Sequence, residues 1–150
     1  MKNNELNAVK EHWEDIKTVS LNDNNLQFLE RRAILDFIDR TEKNTLKDIG
    51  CGDGSDTIFF AEKFNKVFAT ENNRHSIRLL KESIKLNNLF NIETARLSDN
   101  ETASALANER PFRRLENIDM QSYEFSHILV DPPRIGLSAE TINLSKQFKN

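Results

Sequence analysis

The sequence predicts an α/β domain built on a doubly wound parallel sheet, with about four strands in view. Three observations carry this. Short apolar runs alternate with helix-length amphipathic segments, which is the pattern of strands joined by right-handed crossovers. A glycine-rich turn follows the first run. The unusual residues, Gly50, Gly52, Gly54, Ser55, Glu71, Asp99 and Asp131, all fall where strands end. In such sheets the carboxyl ends of the strands form the ligand-binding edge.

The elements follow in order. Residues 1–25 are rich in Asn and Lys and poor in apolar clusters, so they read as a polar N-terminal arm ahead of a domain over 26–150. From Leu26 to Ile38, Leu26, Leu29, Ala33, Ile34 and Phe37 share one helical face, with Glu30, Arg31 and Arg32 opposite. A short run then ends at Ile49, the turn "GCGDGS" follows, and a helical segment continues through Phe64. "NKVFATE" is a second strand ending in Glu71. The next helix has Ile77, Leu80, Ile84 and either Leu86 or Leu89 on one face. "NIETARLS" is a third strand and "NETASALANE" a helix. "RPFRRLENIDMQSYE" reads as a polar connection, and "FSHILVDPP" is a fourth strand stopped by prolines.

Composition bounds the function. The 150 residues carry 21 basic and 24 acidic side chains, a formal charge of -3, which argues against the strong overall basic field of an autonomous nucleic-acid-binding domain but not against a local patch. Arg110, Arg113 and Arg114 form the one basic cluster along the sequence, either a phosphate contact or a solvated loop. No apolar run approaches the ~18 residues of a membrane span. With one cysteine and no signal peptide, a soluble protein of a reducing compartment is expected, cytoplasmic and without membrane attachment.

The glycines at alternate positions let backbone amides approach a ligand beside a helix start, although their spacing differs from the dinucleotide fingerprint G-x-G-x-x-G. Glu71, about 20 residues further on, stands where a carboxylate accepts the hydroxyls of a ribose, a solvated capping glutamate being the alternative. Asp99 is a weaker candidate, for an adenine-edge contact or a helix N-cap. Asp131, held by Pro132 and Pro133, faces the cleft between the first and fourth strands. Cys51 reads as a packing residue between two glycines, because nothing near it in sequence would activate a thiolate. His12, His75 and His127 lack metal-ligand spacing, so no metal is expected. Phenylalanines at helical or strand spacing read as core.

Together the glycine turn, the acidic residue and the DPP corner resemble the cofactor half of a Rossmann-like, S-adenosylmethionine-dependent methyltransferase. From about Lys66 to Gln147 the resemblance narrows to the tRNA (uracil-5-)-methyltransferase family. "FRRLENIDMQSYEFSHILVDPPRIGLSAET" is similar to that family's F-x-R-L-x-x-I-D-L segment followed by V-D-P-P-R-x-G-L, and "ATENNRHSIRLLKESIKLNN" fits its second strand and helix. The resemblance implies methyl transfer to C5 of a uridine in tRNA, after the base leaves its stack. Glu71 would bind the ribose, the turn from Gly50 to Ser55 would hold the methionine part, and Asp131 would line the pocket near the target base. In that mechanism a cysteine adds to C6, C5 attacks the methyl group, and a base removes the C5 proton.

Two departures accompany the match. Gly50 stands where the family has an aromatic residue and Ser55 where it has asparagine. The family's Ser-Cys-Asn-Pro segment, which carries the nucleophile, is absent, and its base would also lie past Asn150. No catalytic residue is therefore assigned, and the chain is expected to be a truncated methyltransferase domain that does not methylate C5 alone. Its fourth strand would be an open edge, inviting a homo-oligomer. The alternatives are a stand-alone N- or O-methyltransferase and a noncatalytic module that binds cofactor or a partner.

Overall fold

The computed structural model describes residues 25–38, 45–131 and 136–148, and the chain falls into two units, Met1–Thr41 and Glu42–Asn150. The predicted polar arm lies outside the described residues, apart from Asn25. So do Pro132 and Pro133. In the first unit, helix α1 (Asn25–Ile38) forms where the helical spacing predicts it. Arg31 departs from the expected outward face: it is 2% exposed. The side chains of Leu26, Leu29 and Phe37, expected on the apolar face, lie outside the described residues.

The second unit holds a four-stranded parallel sheet in the order β3-β2-β1-β4. β1 (Thr45–Ile49), β2 (Lys66–Thr70), β3 (Ile92–Ala95) and β4 (His127–Val130) all lie where the sequence places strands. β1 pairs with β2 on one side, Asp48 opposite Ala69, and with β4 on the other, Asp48 opposite Leu129. The order reverses between β1 and β4, which sets a switch point beside the first strand.

Both faces of the sheet are covered. On one, Ala69 of β2 packs with Ile77 and Leu80 of α3 (Arg74–Leu86), and Ile58 of α2 (Ser55–Ala61) packs against them. On the other, Phe68, Ala95, Leu97 and Tyr123 form a cluster. Full burial of Leu80 or Phe68 stabilises the fold by about 1.5–3 kcal/mol each. Phe112, Leu115, Ile118, Met120 and Phe125 pack on the second cluster, so the segment expected to be a polar connection supplies core. It does so through two 3-10 turns, Arg113–Leu115 and Met120–Ser122, which bring apolar residues three apart onto one side.

Helix ends follow local chemistry. α2 stops at Ala61 instead of running through Phe64, because the chain turns there and buries the Phe64 ring edge-on to His127. The Asn73 side chain caps α3, accepting from the His75 and Ser76 amides at 2.8 and 3.2 Å. Of the two residues offered for the lower end of its apolar face, Leu89 is half-buried and Leu86 is 82% exposed. α4 (Asp99–Leu106) opens with a capping box between Ser98 and Glu101, and α5 (Ala139–Ser145) packs against α4.

Candidate functional site

The carboxyl ends of β1, β2 and β4 meet around the glycine turn. The Gly50 and Cys51 amides both donate to the Thr70 carbonyl, at 2.8 and 3.1 Å, which binds the start of the turn to the end of β2. A Cβ at Gly50 would come within 3.3 Å of the Asp131 carbonyl, so the turn passes directly under the end of β4. Gly52 has φ +55 and nothing within 4 Å of its missing Cβ, which leaves an open backbone cradle there. Gly54, at φ +87, has the opposite reason to be glycine, because Leu80 fills the space a side chain would take.

Glu71 is brought to this turn, as expected, in a more specific way than the sequence suggests. One carboxylate oxygen accepts from the Gly52 amide at 3.0 Å and the other from the Asn73 amide at 2.6 Å. The carboxylate therefore braces the turn against the start of α3, and each oxygen keeps a second lone pair for a ligand hydroxyl. Ser55 starts α2, and its amide donates to the Asp53 carboxylate at 3.1 Å.

Asp131 follows β4 with its side chain exposed. Asp99 is the first residue of α4, but it is not the N-cap, since Ser98 takes that position. The Asp99 carboxylate accepts instead from the Ser138 amide at 3.1 Å and joins α4 to the start of α5. Partial desolvation opposes its ionisation, but hydrogen bonds from the Ser138 backbone and hydroxyl outweigh this and hold it below the usual carboxylate range.

Two charged residues missed by sequence reasoning lie beneath the turn. Lys47 is 0% exposed and donates to the Asp48 and Phe68 carbonyls at 3.2 and 3.3 Å and to the Thr70 hydroxyl at 3.0 Å. Asp48 is buried on the other face, where the Thr57 hydroxyl donates to it at 2.5 Å. Desolvation pushes the Lys47 ammonium down and the Asp48 carboxyl up from their ordinary values. Residue type alone gives no warning of this. The only available signal is position, because a strand covered on both faces buries whatever it carries.

Cys51 is partly buried against the Ala69–Ile77–Leu80 cluster. Burial first, and the neighbouring Asp48 charge second, push its thiol far above the ordinary range, consistent with a packing role. His75 lies beside Arg78 on the surface of α3, and His127 meets the Phe64 ring edge-on. Among the described residues no group of three or more His, Cys, Asp and Glu side chains is placed to hold a metal ion, and no helix is long and apolar enough to cross a membrane. The arginine cluster is divided by its contacts: Arg114 pairs with Glu101 and donates to the Arg96 carbonyl, while Arg110 lies over the Phe112 ring.

Comparison with known proteins agrees with this geometry. The model of the tRNA (Uracil-5-)-methyltransferase family matches residues 14–150. A tRNA/tmRNA (uracil-C(5))-methyltransferase of Campylobacter lari is 40% identical over 117 residues, which are 78% of this chain and 34% of that protein. One from Nitratiruptor sp. is 47% identical over 105 residues, 70% of this chain and 29% of that protein. The chain thus spans about a third of the length of the curated relatives it matches. Among solved structures, the Pyrococcus abyssi tRNA (uracil-54, C5)-methyltransferase in complex with S-adenosyl-L-homocysteine superposes with a TM-score of 0.51 at 20% identity, covering 77% of this chain and 25% of that one. The sheet is that of the Rossmann-like methyltransferases. By the family match and the motifs at its strand ends, this chain belongs to the tRNA (uracil-5-)-methyltransferase family.

Proposed function

We propose that this chain is the S-adenosylmethionine-binding part of a cytoplasmic enzyme that methylates C5 of a uridine in tRNA. The observation that carries the reading is the open cradle at Gly52, braced by Glu71, at the switch point of the sheet. Residues 26–150 are the cofactor-binding part in this reading, and residues 1–25 are an arm ahead of it.

The residues present fit the cofactor. Backbone from Gly50 to Ser55 accommodates the methionine portion where a side chain at Gly52 would intrude. The remaining lone pairs of Glu71 accept the ribose hydroxyls without releasing the turn. Asp99 borders the adenine side and Asp131 the wall toward the target base. When bound, the sulfonium of S-adenosylmethionine supplies the methyl group. The chain's own contribution is to hold and orient it.

Cys51 is not the nucleophile of this reaction. A thiolate is needed for addition to C6, and burial beside Asp48 keeps the Cys51 thiol protonated. Nucleophile and base belong to other parts of the family's length. Among the described residues β4 ends the strand order, and in this 150-residue chain its outer edge is where self-association is expected; a chain sedimenting as a monomer at all concentrations would contradict that point. Calorimetry with S-adenosylhomocysteine tests the cofactor assignment. Heat is expected for the wild type, with affinity at least ~10-fold weaker for Glu71→Ala, the loss of about 1.4 kcal/mol or more. No heat, or identical behaviour of the two chains, would sink it.

A further inference from the structure

We infer that the outer face of α3, together with Phe90, is a docking surface for single-stranded or looped RNA, with phosphates along a basic stripe and an unstacked base on the ring. This rests on the RNA-methyltransferase reading above and extends it by naming a surface outside the cofactor site. Arg74, Arg78, Lys81 and Lys85 are all exposed. Their spacing of four, three and four residues places them within an arc of about 60° on a helix of 3.6 residues per turn, over about 16 Å of its axis. Linear reading misses the stripe because two or three other residues, apolar ones, serines, His75 and Glu82, separate its members in sequence.

The charges within the stripe are only partly balanced. Glu82 flanks it and lies 3.8 Å from Arg78, whose guanidinium also contacts the His75 ring at 3.2 Å. Four cations against one carboxylate leave a local positive excess on a chain whose formal charge is -3. Attraction for a polyanion therefore has to be local.

An aromatic residue follows the stripe in sequence, just past the end of α3. Phe90 is 94% exposed and lies between α3 and β3, outside the helical and strand spacing at which phenylalanines are expected to be core. It sits on a held turn: the Leu89 amide donates to the Ile84 carbonyl at 3.1 Å, and the Asn91 amide group donates to the Ala61 and Phe64 carbonyls at 2.8 and 2.9 Å. An exposed ring on fixed backbone, a few residues past a row of cations, is the arrangement that stacks bases without reading sequence.

The test is fluorescence anisotropy with a 15-nucleotide mixed-sequence RNA from 50 to 300 mM KCl. Arg78→Gln/Lys81→Gln/Lys85→Gln keeps helix propensity and leaves Arg74, nearest the cofactor site, in place. Its log Kd against log salt should be shallower by about 2, which is 0.7 for each of three lost contacts, with affinity at 100 mM at least ~10-fold weaker. Phe90→Ala should bind about 5-fold or more weakly with the slope unchanged. A control, Arg110→Gln/Arg113→Gln/Lys146→Gln, removes the same charge elsewhere and should stay within 2-fold of wild type. In the unmodified chain, RNA should protect Lys81 and Lys85, but not Lys146, from acetylation, a readout independent of any variant's folding. Wild-type slope in the stripe variant, equal loss in the control, unchanged Phe90→Ala, or absent protection each overturns the inference. A wild type that binds S-adenosylhomocysteine but not RNA overturns it too, and leaves the cofactor reading standing.

Discussion

Gly54→Ala should destabilise the domain far more than Gly52→Ala, although both replace a glycine of the same turn. At Gly54 the added Cβ would lie 2.2 Å from Leu80 Cδ1 and 3.1 and 3.2 Å from its Cγ and Cβ. Turning the leucine about its side-chain bonds relieves the contacts with Cδ1 and Cγ at the expense of its packed rotamer. The contact with Cβ, which no side-chain rotation moves, requires α3 itself to shift around the fully buried Leu80, and together these make an overpacking cost of about 1–3 kcal/mol. Holding alanine at φ +87 adds about 1–2 kcal/mol. The two costs give a loss of about 2–5 kcal/mol, a large share of the 5–15 kcal/mol that stabilises a typical domain. Gly52→Ala meets no neighbour and should lose only the backbone cost, about 1–2 kcal/mol. Urea denaturation reads both as a lowered midpoint at unchanged m. A double-mutant cycle with Leu80→Ala should recover about 1–3 kcal/mol of coupling with Gly54→Ala and none with Gly52→Ala. Equal losses for the two glycine variants, or zero coupling at Gly54, would refute the assignment of Gly54 to packing and Gly52 to the open cradle.

Other outcomes follow from the buried and capping groups. Burial lowers the Lys47 pKa in the folded chain, so between that lowered value and the ordinary value of ~10.4 the unfolded chain binds more protons and stability rises with pH. Relative to Lys47→Met, the wild type should become more stable from pH 7.5 to 9.5, by about 1.4 kcal/mol for each unit of depression titrated; parallel curves would contradict this. Ser98→Ala breaks the capping box of α4, in which Ser98 accepts from the Glu101 amide at 3.2 Å and Glu101 from the Ser98 amide at 2.9 Å, and should cost about 0.5–2 kcal/mol by thermal melting. Cys51 should react with a thiol reagent at pH 8 more than ~10-fold slower in the native than in the unfolded chain, and a fast native reaction would count against its burial.

Strand and helix order was legible because glycines, prolines and period changes punctuate this chain. The Gly50–Gly54 turn, Glu71 after β2 and Asp131 after β4 could be placed at one edge on that basis alone. What escaped was set by packing. Lys47 and Asp48 look like surface residues, yet the central strand buries both. Tyr123 and Ile118 sit among charged neighbours in sequence, and 3-10 turns gather them onto the sheet. The bracing role of Glu71 depends on two backbone amides, which no side-chain pattern reports. Asp99 serves a contact 39 residues away, beyond the reach of local spacing.

The central claim is that Glu71 and the turn at Gly52 form the cofactor cradle, and an amide-resolved titration of the labelled chain with S-adenosylhomocysteine tests it most directly. The predicted result is that the Gly50, Gly52 and Ser55 amides and those of Glu71 and Asn73 shift together and saturate with the ligand, while amides of β4's first residues and α5 stay in place. Shifts confined to other surfaces, or a saturating ligand that leaves the Gly52 amide unmoved, would contradict it.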